Sequence, residues 1–444
     1  MEAVVSRTGW IGLVLFLFAM LVFRASPRGQ IYDSSYALLV SHQLIHHADP
    51  SLDVWVGTLG GVDGNGRPHD YRIVSSGGRY HWFYPPGTPL LAAPFVAAAS
   101  AIGAGPVDRD GHYDRRGERR LQRTLAAFAM ALTGVLFFLT ARELLPLEAN
   151  VGLAVAVAVA GLFASPVWST ASRSLWSQTP ALLLVTTAIL LIVRGRRAGT
   201  SIHPWLIASL LAWAWLCRPT AALSAISIVV WAACVRRDAL VPLMAGGFGW
   251  LAIFFVGFRG AYGSWLPPYF QLGNHAFGVI PEALLGNLVS PARGLLVYCP
   301  ILLVVIFNLV RGRRLLPDRP LAVLALAVIA LHWLLVSSHA PWWGGYGYGP
   351  RLMTDVVPWL VLLGAIGLAA RLRDSTRPSR FGVASAMLLL ALSIALNGIG
   401  AISRAATEWN DHQSEPDFEE RLWRFDDAPF LAPLLASNDG RRLR

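Results

Sequence analysis

An all-α, polytopic integral membrane protein with about eleven transmembrane helices is the fold class this sequence predicts. Three observations predict it. Of 444 residues, 55% are hydrophobic and only 14% charged, against about 25% charged in soluble domains. The apolar residues gather into runs near 10–23, 88–104, 124–141, 150–168, 179–193, 204–216, 219–235, 241–258, 294–310, 320–338, 356–370 and 381–402. The 37 basic residues are all Arg and stand in short clusters between those runs. That distribution orients spans and excludes a nucleic-acid-binding face, which gathers its Arg on one soluble surface.

The run 10–23 follows Arg7, precedes Arg24 and has no small-x-small cleavage site, so it is expected to be an uncleaved first span. The run 88–104 begins among Pro85, Pro86 and Pro89. Prolines there suit a bent helix lying in the interface better than a clean crossing. Its placement decides the topology. Clusters Arg194/Arg196/Arg197, Arg236/Arg237, Arg311/Arg313/Arg314 and Arg371/Arg373/Arg377/Arg380 follow alternate runs and therefore share one side. With 88–104 in the interface and the N-terminus inside, all four fall inside, as the positive-inside rule asks. Residues 24–123 then form a large first extracytoplasmic loop. The segments Ser169–Gln178, Cys217–Thr220, Gly260–Arg293 and Ser338–Asp355 share its side. One stretch resists this assignment: Asp108–Arg123 carries six Arg and four acids on the outer side. Residues 1–403 read as a single membrane domain and 404–444 as a solvated polar extension. Cys217, Cys234 and Cys299 have no paired or metal-type spacing and read as small apolar residues.

The outer segments hold the residues with chemistry. Asp33 follows the first span, between Tyr32 and Tyr36. A carboxylate at a membrane rim can take a proton from an acceptor hydroxyl; the same residue also fits an N-cap for a helix over Tyr36–His47. Tyr80–Leu91 (YHWFYPPGTPLL), with Tyr84, is either an aromatic anchor belt or one wall of a lipid-facing groove. In Ser172–Gln178, Arg173 is a phosphate ligand or a rim Arg, and Gln178 a second polar contact. Trp265 and Tyr269, in the loop Tyr262–His275, offer faces to a sugar or simply pack the loop. The segment Ser338–Arg351 contains His339, Trp342, Trp343, Tyr346 and Tyr348 among four Gly. It reads as a close-approach backbone with flat walls, and Arg351 at the mouth of the next span as a bidentate phosphate ligand or a snorkelling Arg. His42, His46 and His47 recur near helical spacing without a second cluster to complete a metal site.

In order and content these motifs resemble the GT-C class of polyprenyl-phosphate-dependent glycosyltransferases, in the broad group of protein mannosyltransferases and lipid A aminoarabinose transferases. The match runs over about residues 8–370: Asp33 after the first span, Tyr84–Leu91, Arg173–Gln178, Arg218-Pro219, Tyr262–Pro267 and Trp342–Arg351. The resemblance implies a helical bundle with juxtamembrane helices in a large first outer loop. It also implies inverting transfer of a sugar from a lipid phosphate to a glycan, lipid or protein acceptor. Asp33 matches the catalytic carboxylate of that loop, and Arg351 and Arg173 become candidates for the leaving phosphate. Relatives often carry acids in the turn before the fourth span, some of them holding a divalent metal. Trp176, Ser177 and Gln178 stand there instead, so no cofactor is assigned and Arg is expected to neutralise charge. The expected location is the cell membrane, with the site on the extracytoplasmic face. Two alternatives remain at this point, a transporter or flippase of lipid-linked saccharides and an inactive membrane scaffold; His332 and a few rim Arg are the only ionisable residues a transporter would have inside its spans.

Overall fold

A computed structural model describes residues 2–146, 151–196, 202–271, 273, 276–278, 280–374 and 379–436. Leu272, Asn274, His275, Arg197, Arg377 and the tail from 437 lie outside the described residues. The apolar runs become helices: α1 (Glu2–Ala25), then α2 (Ala37–His47) and α3 (Gly87–Ala101) in the first loop, α4 (Arg115–Leu144), α5 (Val151–Phe163), α6 (Gln178–Arg194), α7 (Pro204–Cys217), α8 (Ala222–Val235) and α9 (Arg237–Tyr262). After them come α10 (Ile280–Val289), α11 (Leu295–Tyr298), α12 (Leu302–Arg311), α13 (Arg319–Ser337), α14 (Val357–Arg373), α15 (Arg380–Ile402), α16 (Arg404–Glu408) and α17 (Phe418–Arg421). Among the described residues six stretches, including α1, α4 and α15, are long and apolar enough to cross a bilayer alone; six shorter apolar helices, α3 included, accompany them.

Helix α14 is the axis. It packs against α4, α5, α6, α12 and α13 and buries Trp359, Leu362, Ile366 and Ala369. Helices α1 and α9 lie at the periphery, where Leu17, Leu21, Val241 and Val256 are exposed to the lipid. Starts follow local chemistry. Asp114 accepts from Arg116 N at the head of α4, and Asp318 from Leu321 N at the head of α13. Pro stands in the first turn of α7, α13 and α14.

Two sequence expectations are corrected. The run 294–310 is not one continuous helix; it breaks between α11 and α12 at Cys299-Pro300 because Pro supplies no N–H. Polar side chains of α15 meet the freed groups: Asn397 Nδ2 donates to Tyr298 O (2.9 Å) and Ile301 N donates to Ser393 Oγ (3.0 Å), as low-dielectric surroundings require. The C-terminal segment is also, over its described residues, not a solvated extension. Its described part, to 436, folds over the Trp342–Trp343 turn and buries Trp409, Phe418, Leu422 and Ala428.

The first loop is built around a β-hairpin of β1 (Ile73–Ser76) and β2 (Arg79–Trp82). Gly77 and Gly78, at φ +60° and +77°, close it, a backbone that L-residues rarely adopt. The hairpin turn rests on the end of α9, where Ser76 Oγ donates to Tyr262 O (3.4 Å). A labelling experiment fixes sidedness. In a Cys-free background, Gly64→Cys, in the exposed first loop, is expected to react with an impermeant maleimide on intact cells. Arg313→Cys, after α12, should react only after lysis. Reaction of Arg313→Cys from outside reverses the topology.

Candidate active site

The register of the hairpin starts the site. Ile73 pairs with Trp82 and Phe83 N donates to Arg72 O (2.8 Å), so Tyr71 and Tyr84 come out opposite one another at the open end. Both phenols face Asp33. Tyr71 OH donates to Asp33 Oδ1 (3.4 Å), and the Tyr84 phenol lies within electrostatic reach of the same carboxylate. Burial first and Asp33 second push both phenols well above the ordinary tyrosine range, so they stay protonated donors. Arg72 fixes this end of the hairpin. It pairs with Asp70 (2.6 Å), lies over the Tyr36 ring (4.8 Å to the centroid) and donates to Tyr32 O (3.3 Å).

Asp33 is held by its neighbours in sequence. Ser34 Oγ and Ser174 Oγ share a hydrogen bond (2.5 Å), and Gln122 Nε2 donates to Ser34 O (2.7 Å). The capping alternative is excluded. Residue Tyr36 takes the N-cap position of α2 at φ 73° with no side-chain cap. The capping group at that helix start is the carboxyl of Glu118 of α4, which is fully buried and accepts from Leu38 N (3.0 Å) and Tyr36 N (3.3 Å). A buried carboxylate at a helix N-terminus is stabilised by the free N–H groups and the dipole there. Asp33 is therefore left to face the pocket.

Its main partner arrives from the far end of the chain. Arg351 Nη1 lies 2.9 Å from Asp33 Oδ2, and the guanidinium sits over the Trp176 ring at 4.3 Å. Gly349, at φ +60°, lets the chain turn into Arg351; a Cβ there would meet the Tyr298 ring at 3.0 Å. Gln178 Nε2 donates to Arg351 O (3.0 Å), so Gln178 positions the Arg351 backbone. Beneath this pair Arg218 contacts Asp355 (2.9 Å), Thr220 donates to the same oxygen (2.7 Å), and His332 Nε2 is 3.9 Å away. Arg218 and Asp355 are both nearly buried, and removing one partner of such a pair costs about 3–5 kcal/mol. Accordingly, Arg218→Gln should lower the thermal midpoint of the purified protein sharply. Adding Asp355→Asn should recover most of the loss, and equal destabilisation of single and double variants would contradict the pairing.

Aromatic rings wall the pocket. Tyr269 packs on Phe83 and Tyr84 (centroids 5.3 and 5.6 Å), and Tyr346 stacks on Tyr32 (5.3 Å, 19° between planes). An apolar groove of about 590 Å³ runs between α2, α3, α7 and α9, with Leu44, Leu90, Trp213, Phe254 and Phe258 in its wall. It reaches Pro86, two residues past Tyr84. Gly87 makes the junction possible, since a Cβ there would lie 2.5 Å from Cys217 N.

Several sequence candidates lie elsewhere. Arg173 is fully buried and donates to Phe23 O (2.7 Å), Ser26 O (3.1 Å) and Ser172 Oγ (3.1 Å), behind the segment that carries Asp33. Trp342 and Trp343 face the C-terminal segment, against Trp423 and Phe418 respectively. Tyr348 is fully buried on Tyr298 and donates to Leu396 O (2.8 Å). Trp265 is exposed, and His339 sits in a short strand, β4 (His339–Ala340), paired with β3 (Ala276–Phe277). The sequence reading missed Tyr71, Glu118 and Asp355, and it named Trp176 and Arg218 without their contacts to Arg351 and Asp355. Tyr71 and Tyr84 could have been joined by reading SSGG as a hairpin turn; the others have no local signal.

The donor set does not fit a divalent cation. A guanidinium and two phenols surround Asp33, and Asp355 is engaged by Arg218 and Thr220. Among the described residues the one metal-type grouping is the exposed Asp108, Asp110 and His112, where Asp108 Oδ1 already accepts from Asp110 N and His112 N.

No protein-family model matches the chain, and no curated protein sequence matches it. Solved structures do. ArnT from Cupriavidus metallidurans in the apo state superposes with a TM-score of 0.52 at 15% identity, covering 92% of this chain and 80% of that one. The same protein bound to undecaprenyl phosphate gives 0.50 at 14%, covering 91% and 80%. The Archaeoglobus fulgidus oligosaccharyltransferase gives 0.50 at 12%, covering 93% of this chain and 60% of that one. The chain thus has the helical membrane fold of these proteins, which is the GT-C-like fold the motifs led us to expect.

Proposed function

We propose that the chain is a membrane glycosyltransferase that takes a sugar from a polyprenyl-phosphate carrier and passes it, with inversion, to an acceptor hydroxyl or amine. One observation carries this reading. Asp33 and Arg351, 318 positions apart, meet at 2.9 Å in an aromatic-walled pocket beside an apolar groove. The fold shared with a protein crystallised with undecaprenyl phosphate supports the carrier class.

In the proposed step the acceptor heteroatom attacks the anomeric carbon from the face opposite the phosphate. Its proton passes to Asp33, the new C–O or C–N bond forms, and the anomeric C–O bond breaks with its electron pair leaving on the phosphate. Arg351 meets that developing charge, with Arg218 behind it. Preorganised donors of this kind account for much of the barrier lowering in such transfers. Arg351 cannot serve both carboxylate and phosphate fully, so donor binding draws it from Asp33 and leaves the base free. Tyr71 and Tyr84 keep Asp33 oriented meanwhile. The polyprenyl tail follows the groove lined by Leu44, Leu90 and Phe254. The acceptor side is placed on the extracytoplasmic face of the cell membrane.

Reconstituted protein, given a labelled polyprenyl-phosphate sugar and a cell-envelope extract, should release polyprenyl phosphate and move label into the extract. Translocation of intact labelled lipid across vesicles without transfer would establish a flippase instead.

A further inference from the structure

Four arginines converge on the last turn of α1. Arg123 Nη2 and Arg173 Nη1 both donate to Ser26 O (2.7 and 3.1 Å), and Arg123 Cδ lies against Gly29. Arg24 and Arg28 complete the group, within Coulomb reach of Arg123. Among the described residues none of the four pairs with a carboxylate. Two acids, Glu408 and Asp411, lie around Tyr32 together with Arg28, and Glu408 is taken by Arg404 (2.5 Å). The carbonyl end of α1 offsets only part of this charge. Burial, then Arg123 and Arg24, push the Arg173 guanidinium down to about 9. Arg28 Nε is shielded from solvent and has no hydrogen-bond partner.

The membrane gives the missing anion an identity. Directly below Arg24, one face of α1 exposes Leu13, Val14, Leu17, Phe18 and Leu21, an apolar track ending in a guanidinium cluster. A free phosphate has no use for the track; a lipid uses both parts. Arg123 also belongs to the Arg-rich stretch that defies the charge rule for orientation, and binding an anion on that side accounts for its place there. We propose that the end of α1 binds an anionic phospholipid in the leaflet on the Asp33 side, its phosphate held by Arg24, Arg28 and Arg123 and its acyl chains laid along α1. Arg173, buried behind them, keeps the local potential positive. This assignment stands apart from the transfer reaction.

The test titrates the full-length chain, purified in detergent, with phosphatidylglycerol and counts bound lipid by native mass spectrometry. Among the described residues the side chains of Arg24 and Arg28 find no hydrogen-bond partner, so Arg24→Gln/Arg28→Gln should fold normally. It should bind phosphatidylglycerol about 25-fold more weakly, roughly fivefold per charge removed. Arg24→Lys/Arg28→Lys should retain most of the binding. Phosphatidylcholine should not occupy the site, and millimolar inorganic phosphate should not empty it. Unchanged affinity in the Gln variant, equal loss in the Lys variant, equal retention of phosphatidylcholine, or displacement by inorganic phosphate would each overturn the assignment.

Discussion

Asp33→Asn is expected to lower kcat by about 10²–10⁴-fold, the span over which a positioned general base contributes. Expression and elution in detergent should stay those of the wild type, because α2 is capped by Glu118 and not by Asp33. Removing the charge also releases Arg351 from its 2.9 Å contact. Donor binding should therefore be unchanged or tighter while transfer fails. That combination distinguishes a base from a structural carboxylate. An Asp33→Asn enzyme with wild-type turnover removes Asp33 from the reaction, whatever becomes of the fold.

Arg351→Gln is expected to cost about 10²–10³-fold in kcat/KM, the size of effect seen when one preorganised charge-stabilising donor is lost. Donor affinity should fall with it, the reverse of the Asp33 variant. Arg351→Lys should not restore the wild-type rate. The native guanidinium sits over the Trp176 ring at 4.3 Å while it reaches Asp33, and an ammonium can neither stack nor offer two parallel N–H groups. Substrate turnover by the Lys variant at the wild-type level would show that only charge matters. Gln178 gives an intermediate check: through its bond to Arg351 O, Gln178→Ala should raise donor KM more than it lowers kcat.

Three of the expected wall residues prove to be packing. Trp342, Trp343 and Tyr348 were grouped with Arg351 because they share its Gly-rich segment. Positive φ at Gly344, Gly345 and Gly349 turns that segment so that successive side chains point different ways. The first two rings meet the C-terminal cover, Tyr348 meets Tyr298, and Tyr346 and Arg351 face the pocket. Arg293 shows how firmly the cover is held, donating to Trp343 O (3.0 Å) and Asn410 Oδ1 (2.5 Å) while buried under Trp409. A tail rich in acids reads as solvated because the large apolar residues it buries, Trp409, Phe418 and Leu422, are too widely spaced to announce a face.

What the sequence determined by itself is whatever depends on local composition: most of the helices, and Asp33 and Arg351 as rim residues of opposite charge; the hairpin glycines and the break at Pro300 carry local signals of the same kind that went unread. Hydrophobic periodicity and turn chemistry act over a few residues, and so they are legible in order along the chain. Only tertiary structure decided which rim residues meet. Arg351 reaches Asp33 and Arg173 does not, although both are Arg beside aromatics on the same kind of turn, because α14 stands at the centre of the bundle while Arg173 is turned onto the carbonyl end of α1. Such pairings depend on the mutual placement of packed helices, which no window of the sequence contains.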